Sequence, residues 1–266
     1  MPNDQLTAPD AARGFAPAAA LPRPAPDGLG IDRAFVLQMA RMPALALLWV
    51  AAALAAHQLW AVADPGGVNL GPLVVIGAGM VLAAFIDGWA LKVPNWVTLP
   101  LVLSGWMLGL LHDAGVAVDG GTGGLGLSVA CTFFGFALLF PMLAIRGVGE
   151  GDVKMQMGFG AWAGAFFGAV GPTGLHGLGV VFWAFCFGAV VGGAFGLVMI
   201  LLRRQFQKNA STVGEILMDL QLFATGSPLQ AAKRAEARRD RWVKLPYGIP
   251  LCVGFVLYLW YVLSVA

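Results

Sequence analysis

The sequence predicts an all-α membrane protein, a bundle of about seven transmembrane helices with its N-terminus in the cytoplasm. Three observations predict it. Hydrophobic residues make up 59% of the 266 residues and charged residues 11%, with a mean hydropathy of +0.78. A soluble domain carries about 25% charged residues, so this composition suits a bilayer as solvent. Uncharged apolar runs recur along the chain, most of them near the roughly 20 residues that cross the hydrocarbon as a helix. When those runs are counted as crossings, all 16 Lys and Arg fall on one side.

The elements follow in chain order. Residues 1–43 are rich in Pro and Ala and hold no apolar h-region, so they read as a disordered cytoplasmic tail rather than a secretory signal. Candidate spans cover 44–63, 70–86, 96–111, 125–145, 153–170, 177–202 and 247–266. The third and fifth are short or Gly-rich. Residues 44–202 thus form a six-helix membrane region, 203–246 a long loop and 247–266 a last transmembrane helix. Glycine is abundant, with 37 residues, and suits close helix packing in a membrane. Gly188, Gly192 and Gly196 recur every four residues and read as a packing seam.

The cations orient the bundle. They lie before span one, at Lys92 between spans two and three, at Arg146 and Lys154 between four and five, and between six and seven. The opposite loops hold none. The positive-inside rule then places the N-terminus in the cytoplasm and the C-terminus outside. In the loop 203–246, Thr212 and Glu215 have capping-box spacing. Val213, Ile216, Leu217, Leu220 and Phe223 share one face, with Gly226 as the stop, which predicts a helix lying on the membrane surface. The basic stretch 233–244 suits anionic lipid head groups. No recognition module accompanies it, so nucleic acid is not an expected partner.

Cys131, Cys186 and Cys252 each sit alone in apolar sequence, with no CxxC pair. Neither a disulfide framework nor a thiolate zinc site is expected, and no metal or other cofactor is predicted.

Carboxylates at membrane depth are costly and mark function. Most of those in this chain fall in the tail or in loops, where solvation accounts for them; Asp219 is among these. Three remain. Asp87 ends span two, and Glu150 and Asp152 open span five in Gly147-Val-Gly-Glu-Gly-Asp-Val-Lys154. The topology brings Asp87 and Asp152 to the same bilayer face. Two carboxylates sharing a low-dielectric pocket cannot both ionise easily, so one keeps a proton while the other activates water. That is the need of an aspartyl protease. Gly147, Gly149 and Gly151 alternate before Asp152. Glycines there permit positive φ and the close approach of another backbone, such as an extended substrate, and equally suit an ordinary turn between spans.

Residues 147–155, GVGEGDVKM, resemble the GxGD signature of the prepilin peptidases. Residues 87–100, DGWALKVPNWVTLP, resemble that family's other signature, an Asp followed by a basic stretch and a P-N-x-L/V-T run. Residues 244–250, KLPYGIP, are similar to its C-terminal PYG segment. The resemblance covers roughly 70–266. It implies that Asp87 and Asp152 are the catalytic pair of a membrane aspartyl endopeptidase of the bacterial inner membrane. It assigns Gly149, Gly151 and Lys154 as motif residues, and Pro94 and Asn95 as support near the site. Pro94 equally suits a helix boundary. The implied substrate is a prepilin or pseudopilin precursor, whose short basic leader is cut at the cytoplasmic face.

Two departures stand out. The segment after Asp87 has only Lys92 as a base, and Glu150 occupies a common Gly position, as a solvated neighbour or a contact for the basic leader. The paired CxxC domain of the methylating members is absent, which implies peptidase activity alone, as in the short forms serving tight-adherence pili. Two alternatives stay open. One is a GxGD intramembrane protease of the presenilin kind, although Ile86 rather than Tyr precedes Asp87 and no PAL motif follows. The other is a non-enzymatic carrier or pilus-assembly component.

Overall fold

The computed structural model describes residues 33–65, 69–90, 93–116, 123–145, 147–167, 176–202, 206–226, 230, 233–234 and 247–265. The chain divides into two units, Met1–Gln38 and Met39–Ala266. Within the first, the described residues open helix α1. All that follows concerns the second.

The described residues form eight helices and no strand: α1 (Arg33–Ala63), α2 (Gly71–Ala90), α3 (Asn95–Asp113), α4 (Leu125–Ala144), α5 (Glu150–Phe167), α6 (Gly177–Leu202), α7 (Phe206–Ala224) and α8 (Gly248–Val265). Four stretches are long and apolar enough to cross a membrane: Ala40–Ala63, Gly71–Ala90, Leu125–Ala144 and Gly177–Val198, with Gly248–Tyr261 a shorter apolar helix. The protein is a polytopic membrane helix bundle. Its outer faces carry exposed Leu, Val, Phe and Trp side chains, as a lipid-facing surface requires.

The fifth span, the most polar on paper, is the centre of the bundle. From Gly158 to Phe167 every residue of α5 is buried. A helix that faces protein all round needs small residues more than apolar ones. A Cβ at Gly160 would strike the Cys131 carbonyl of α4, and one at Gly164 the Leu127 carbonyl. Gly158 sits against Leu101 of α3, where a Cβ would come within 3.1 Å of the Leu101 Cβ. Polar groups stitch the same three helices. Trp162 Nε1 donates to Leu101 O at 2.9 Å and to Ser104 Oγ at 3.0 Å. Ser128 Oγ donates to Ala161 O at 2.7 Å.

The glycine seam of α6 is occupied by α8. A Cβ at Gly188 would lie 3.2 Å from Leu251 Cα, and one at Gly192 3.3 Å from Pro250 Cβ, while Gly196 faces open space. Gly254 of α8 abuts the Gly188 backbone so closely that no side chain fits. This seam sets the position of the first residues of α8, which reach the site.

Three expectations need correction. Helix α1 begins at Arg33, so 33–43 is helical rather than tail; its Ala, Leu, Met, Gln and Arg are good helix formers. The amphipathic helix begins at Phe206, not at the Thr212 capping box, because Gln207, Lys208 and Ala210 also favour helix. It ends as expected at Gly226, whose φ is +88°. Asp219, read as solvated, is buried at 1% exposure. Residues 1–32 and 235–246, which include most of the tail and of the basic stretch, lie outside the described residues.

Candidate active site

Three helix ends converge at one end of the bundle: the last turn of α2, the first turn of α5 and the start of α8. The packing of α2 against α5 and α8 brings them together. Asp87 sits in the last turn of α2 and is 4% exposed; Asp152 sits in the first turn of α5 and is 5% exposed.

Each aspartate receives one backbone N–H. Gly149 N–H donates to Asp152 Oδ2 at 3.1 Å. Gly149 immediately precedes α5, so Asp152, three residues on, reaches back to an N–H that the helix itself cannot satisfy. One oxygen of Asp152 thereby serves as a helix cap. The other, Oδ1, is buried and has no hydrogen-bond partner among the described residues. Gly248 N–H donates to Asp87 Oδ2 at 2.9 Å. This donor is an orphan N–H at the start of α8, so the cap of one helix is supplied by the end of another.

The two carboxyl groups act on each other electrostatically. Asp152 precedes the apolar stretch 153–170. Burial above all, and then the charge of Asp87, hold its carboxyl well above the usual carboxylate range, against the Gly149 hydrogen bond. Tyr247, just ahead of α8, lies within electrostatic reach of Asp152. Asp87, Asp152, Tyr247 and Gly248 therefore form one electrostatic neighbourhood.

The motif residues have separate tasks. Gly151 is in the first turn of α5, where a Cβ would lie 2.9 Å from Val93 Cβ and 3.0 Å from Val93 N. The backbone that approaches Gly151 is thus the chain's own. Among the described residues, positive φ occurs only at Gly115 and Gly226. The 147–151 glycines accordingly serve helix start and close packing, not left-handed turns. Pro94 is the residue before α3, in extended conformation with φ −75° and ψ 147°. Lys154 Nζ donates to Asn95 Oδ1 at 2.9 Å and lies 4.0 Å from Glu150 Oε2. The two signature segments are thereby tied directly, α3 to α5. The Glu150 side chain is 73% exposed.

Gly248 and Tyr247 were not among the candidate site residues. The PYG segment was legible as a motif, but its link to Asp87 spans 161 residues of sequence, and no local pattern encodes it. Lys92 lies outside the described residues. Among the described residues no cluster of His, Cys, Asp and Glu could hold a metal.

Fold and site together define a helix-bundle membrane protein with two buried aspartates at one end. Residues 74–193, which contain both aspartates, match the model of the type IV leader peptidase family, a family of proteases to which this part of the chain is similar. No curated protein and no solved structure gives a significant match.

Proposed function

We propose that the protein is an aspartyl endopeptidase that removes the short basic leader of type IV prepilin-like precursors at the cytoplasmic face of the bacterial inner membrane. The observation that carries this reading is the pair of buried carboxyl groups, Asp87 and Asp152, each oriented by one backbone N–H at a helix start.

The chemistry follows from the pair's shared proton. Asp152, held high by burial and by its neighbour, keeps the proton. Asp87 takes a proton from water as the water oxygen bonds to the scissile carbonyl carbon. Asp152 gives its proton to the carbonyl oxygen. The tetrahedral intermediate then collapses: one of its two hydroxyls returns a proton to Asp152 as the C=O re-forms, the C–N bond breaks and the leaving amine takes the proton held by Asp87. The orienting N–H groups keep both carboxyls in place throughout.

Around the pair, Asn95, Lys154 and Gly151 would hold the two signature segments together, and Pro94 would open α3. The exposed Glu150 would pair with the leader's positive charge. Residues 233–244 would bind anionic lipid head groups beside the site.

The test is co-expression with a basic-leader precursor. Asp87→Asn and Asp152→Asn should each abolish processing while the protein still accumulates in the membrane. Normal processing by both variants would sink the reading. A cut inside the precursor's apolar span, rather than before it, would move the protein to the presenilin kind of GxGD protease.

A further inference from the structure

Hydrolysis consumes water, and the two aspartates are almost sealed from solvent. Deeper in the bundle lie two further polar side chains that the reaction scheme does not use. Thr98 is 0% exposed and Gln156 is 3% exposed. Thr98 Oγ1 and Gln156 Nε2 have no hydrogen-bond partner among the described residues, and neither does Asp152 Oδ1. Buried polar groups in a folded protein are nearly always satisfied, if not by protein then by ordered water.

The helix register brings these groups to one region. Val93 lies against Gly151, Leu101 against Gly158, and Gly105 against Ala161 and Trp162. Helices α3 and α5 therefore run parallel, and Thr98 comes level with Met155 and Gln156. On α4, a Cβ at Gly135 would lie 2.9 Å from Gln156 O and 3.4 Å from Gln156 Cγ. The missing Cβ lets α4 approach α5 closely beside Gln156. Gln156 follows Asp152 by four residues, so both are on one face of α5, one turn apart.

We infer that Thr98 and Gln156 hold an internal water site at the junction of α3, α4 and α5, which extends to Asp152 Oδ1 and supplies the water that is hydrolysed. The hydroxyl both donates and accepts, the amide nitrogen donates and the carboxyl oxygen accepts, which matches the two to four partners of a buried water. The inference rests on the protease reading of the aspartate pair.

The experiment uses the full chain in lipid nanodiscs, with Thr98→Val, Gln156→Met and the double variant. If the two side chains share water, each single variant strands the other and lowers Tm by about 2–4 °C. The double variant then recovers part of the loss, a non-additivity that distant independent sites do not show. Each variant also lowers kcat about tenfold on a basic-leader precursor, with KM unchanged. Single variants that raise Tm additively would show a dry junction and overturn the inference. Non-additive stability with unchanged kcat would overturn it too, since the water would then play no part in turnover. If the wild-type chain cleaves no basic-leader precursor while the stability coupling holds, the protease reading fails and the water site stands.

Discussion

At the residue scale, each of the two aspartates gives one carboxyl oxygen to a backbone N–H at a helix start. Asp152 commits Oδ2 to the Gly149 N–H, and Asp87 commits Oδ2 to the Gly248 N–H. The sign of the linkage can be tested. The folded-state pKa of Asp152 lies above the ordinary carboxylate value. Its contribution to stability is therefore fully present below about pH 4 and is lost as pH rises through the folded value. Asp152→Asn should accordingly gain in Tm over the wild type as pH rises from about 4 to neutrality, read by thermal unfolding in nanodiscs. A constant difference across that window would contradict the burial argument. Gly248 is expected to be intolerant. A Cβ there would lie 2.9 Å from Asp87 Oδ2 and 3.2 Å from Asp87 Cγ, displacing the carboxyl from its donor. Gly248→Ala should lower kcat about 100-fold, the scale of a 1 Å misplacement. Glu150→Gln should act on recognition alone. An exposed charge pair contributes about 0.2–1 kcal/mol, so KM for a basic-leader precursor should rise about two- to fivefold at low salt. The effect should fade as salt screens the pair.

At the element scale, the order of helices and the identity of the central one were legible to different degrees. Uncharged length located the apolar helices that the structure forms, four of them long and apolar enough to cross a membrane, because a bilayer leaves few other ways to bury such runs. The rank of α5 was not legible. Its Glu, Asp, Lys and Gln lower its apolar character, and only the structure shows them at its sheltered start and its glycines under α3 and α4. The start of α7 was misplaced for the opposite reason: a real capping signal at Thr212 was overridden by helix formers upstream. The site was half legible. Asp87, Asp152, Asn95 and Lys154 stand in recognisable strings, whereas Gly248 acts across 161 residues. The α6–α8 seam is the element-level prediction. Gly254→Val forces a side chain into the Gly188 backbone. Overpacking of this kind costs about 1–3 kcal/mol, and here it should also shift the start of α8 away from Asp87. Loss of both thermal stability and precursor processing is the expected result. Full processing with reduced stability would separate the seam from the site.

At the scale of the whole molecule, counting the apolar runs as crossings would put all the Lys and Arg on the face expected to hold Asp87 and Asp152. That makes orientation a testable property. Alkaline phosphatase fused after residue 266 should be active, being exported, and fused within 227–229 should be inactive. The reverse pattern would put the aspartates on the outer face, away from the proposed substrate leader. The described surface is apolar around α1, α2, α4 and α6, which fits a protein held in lipid.

The hydrogen bond from Gly248 to Asp87 has a consequence in time. During synthesis, a chain that has emerged as far as α6 already carries both aspartates, but the N–H that orients Asp87 is still inside the ribosome or the translocon. The protease is therefore born incomplete. Nascent chains stalled before α8 hold both aspartates without the Gly248 hydrogen bond, which forms only once α8 is in place along the α6 glycines.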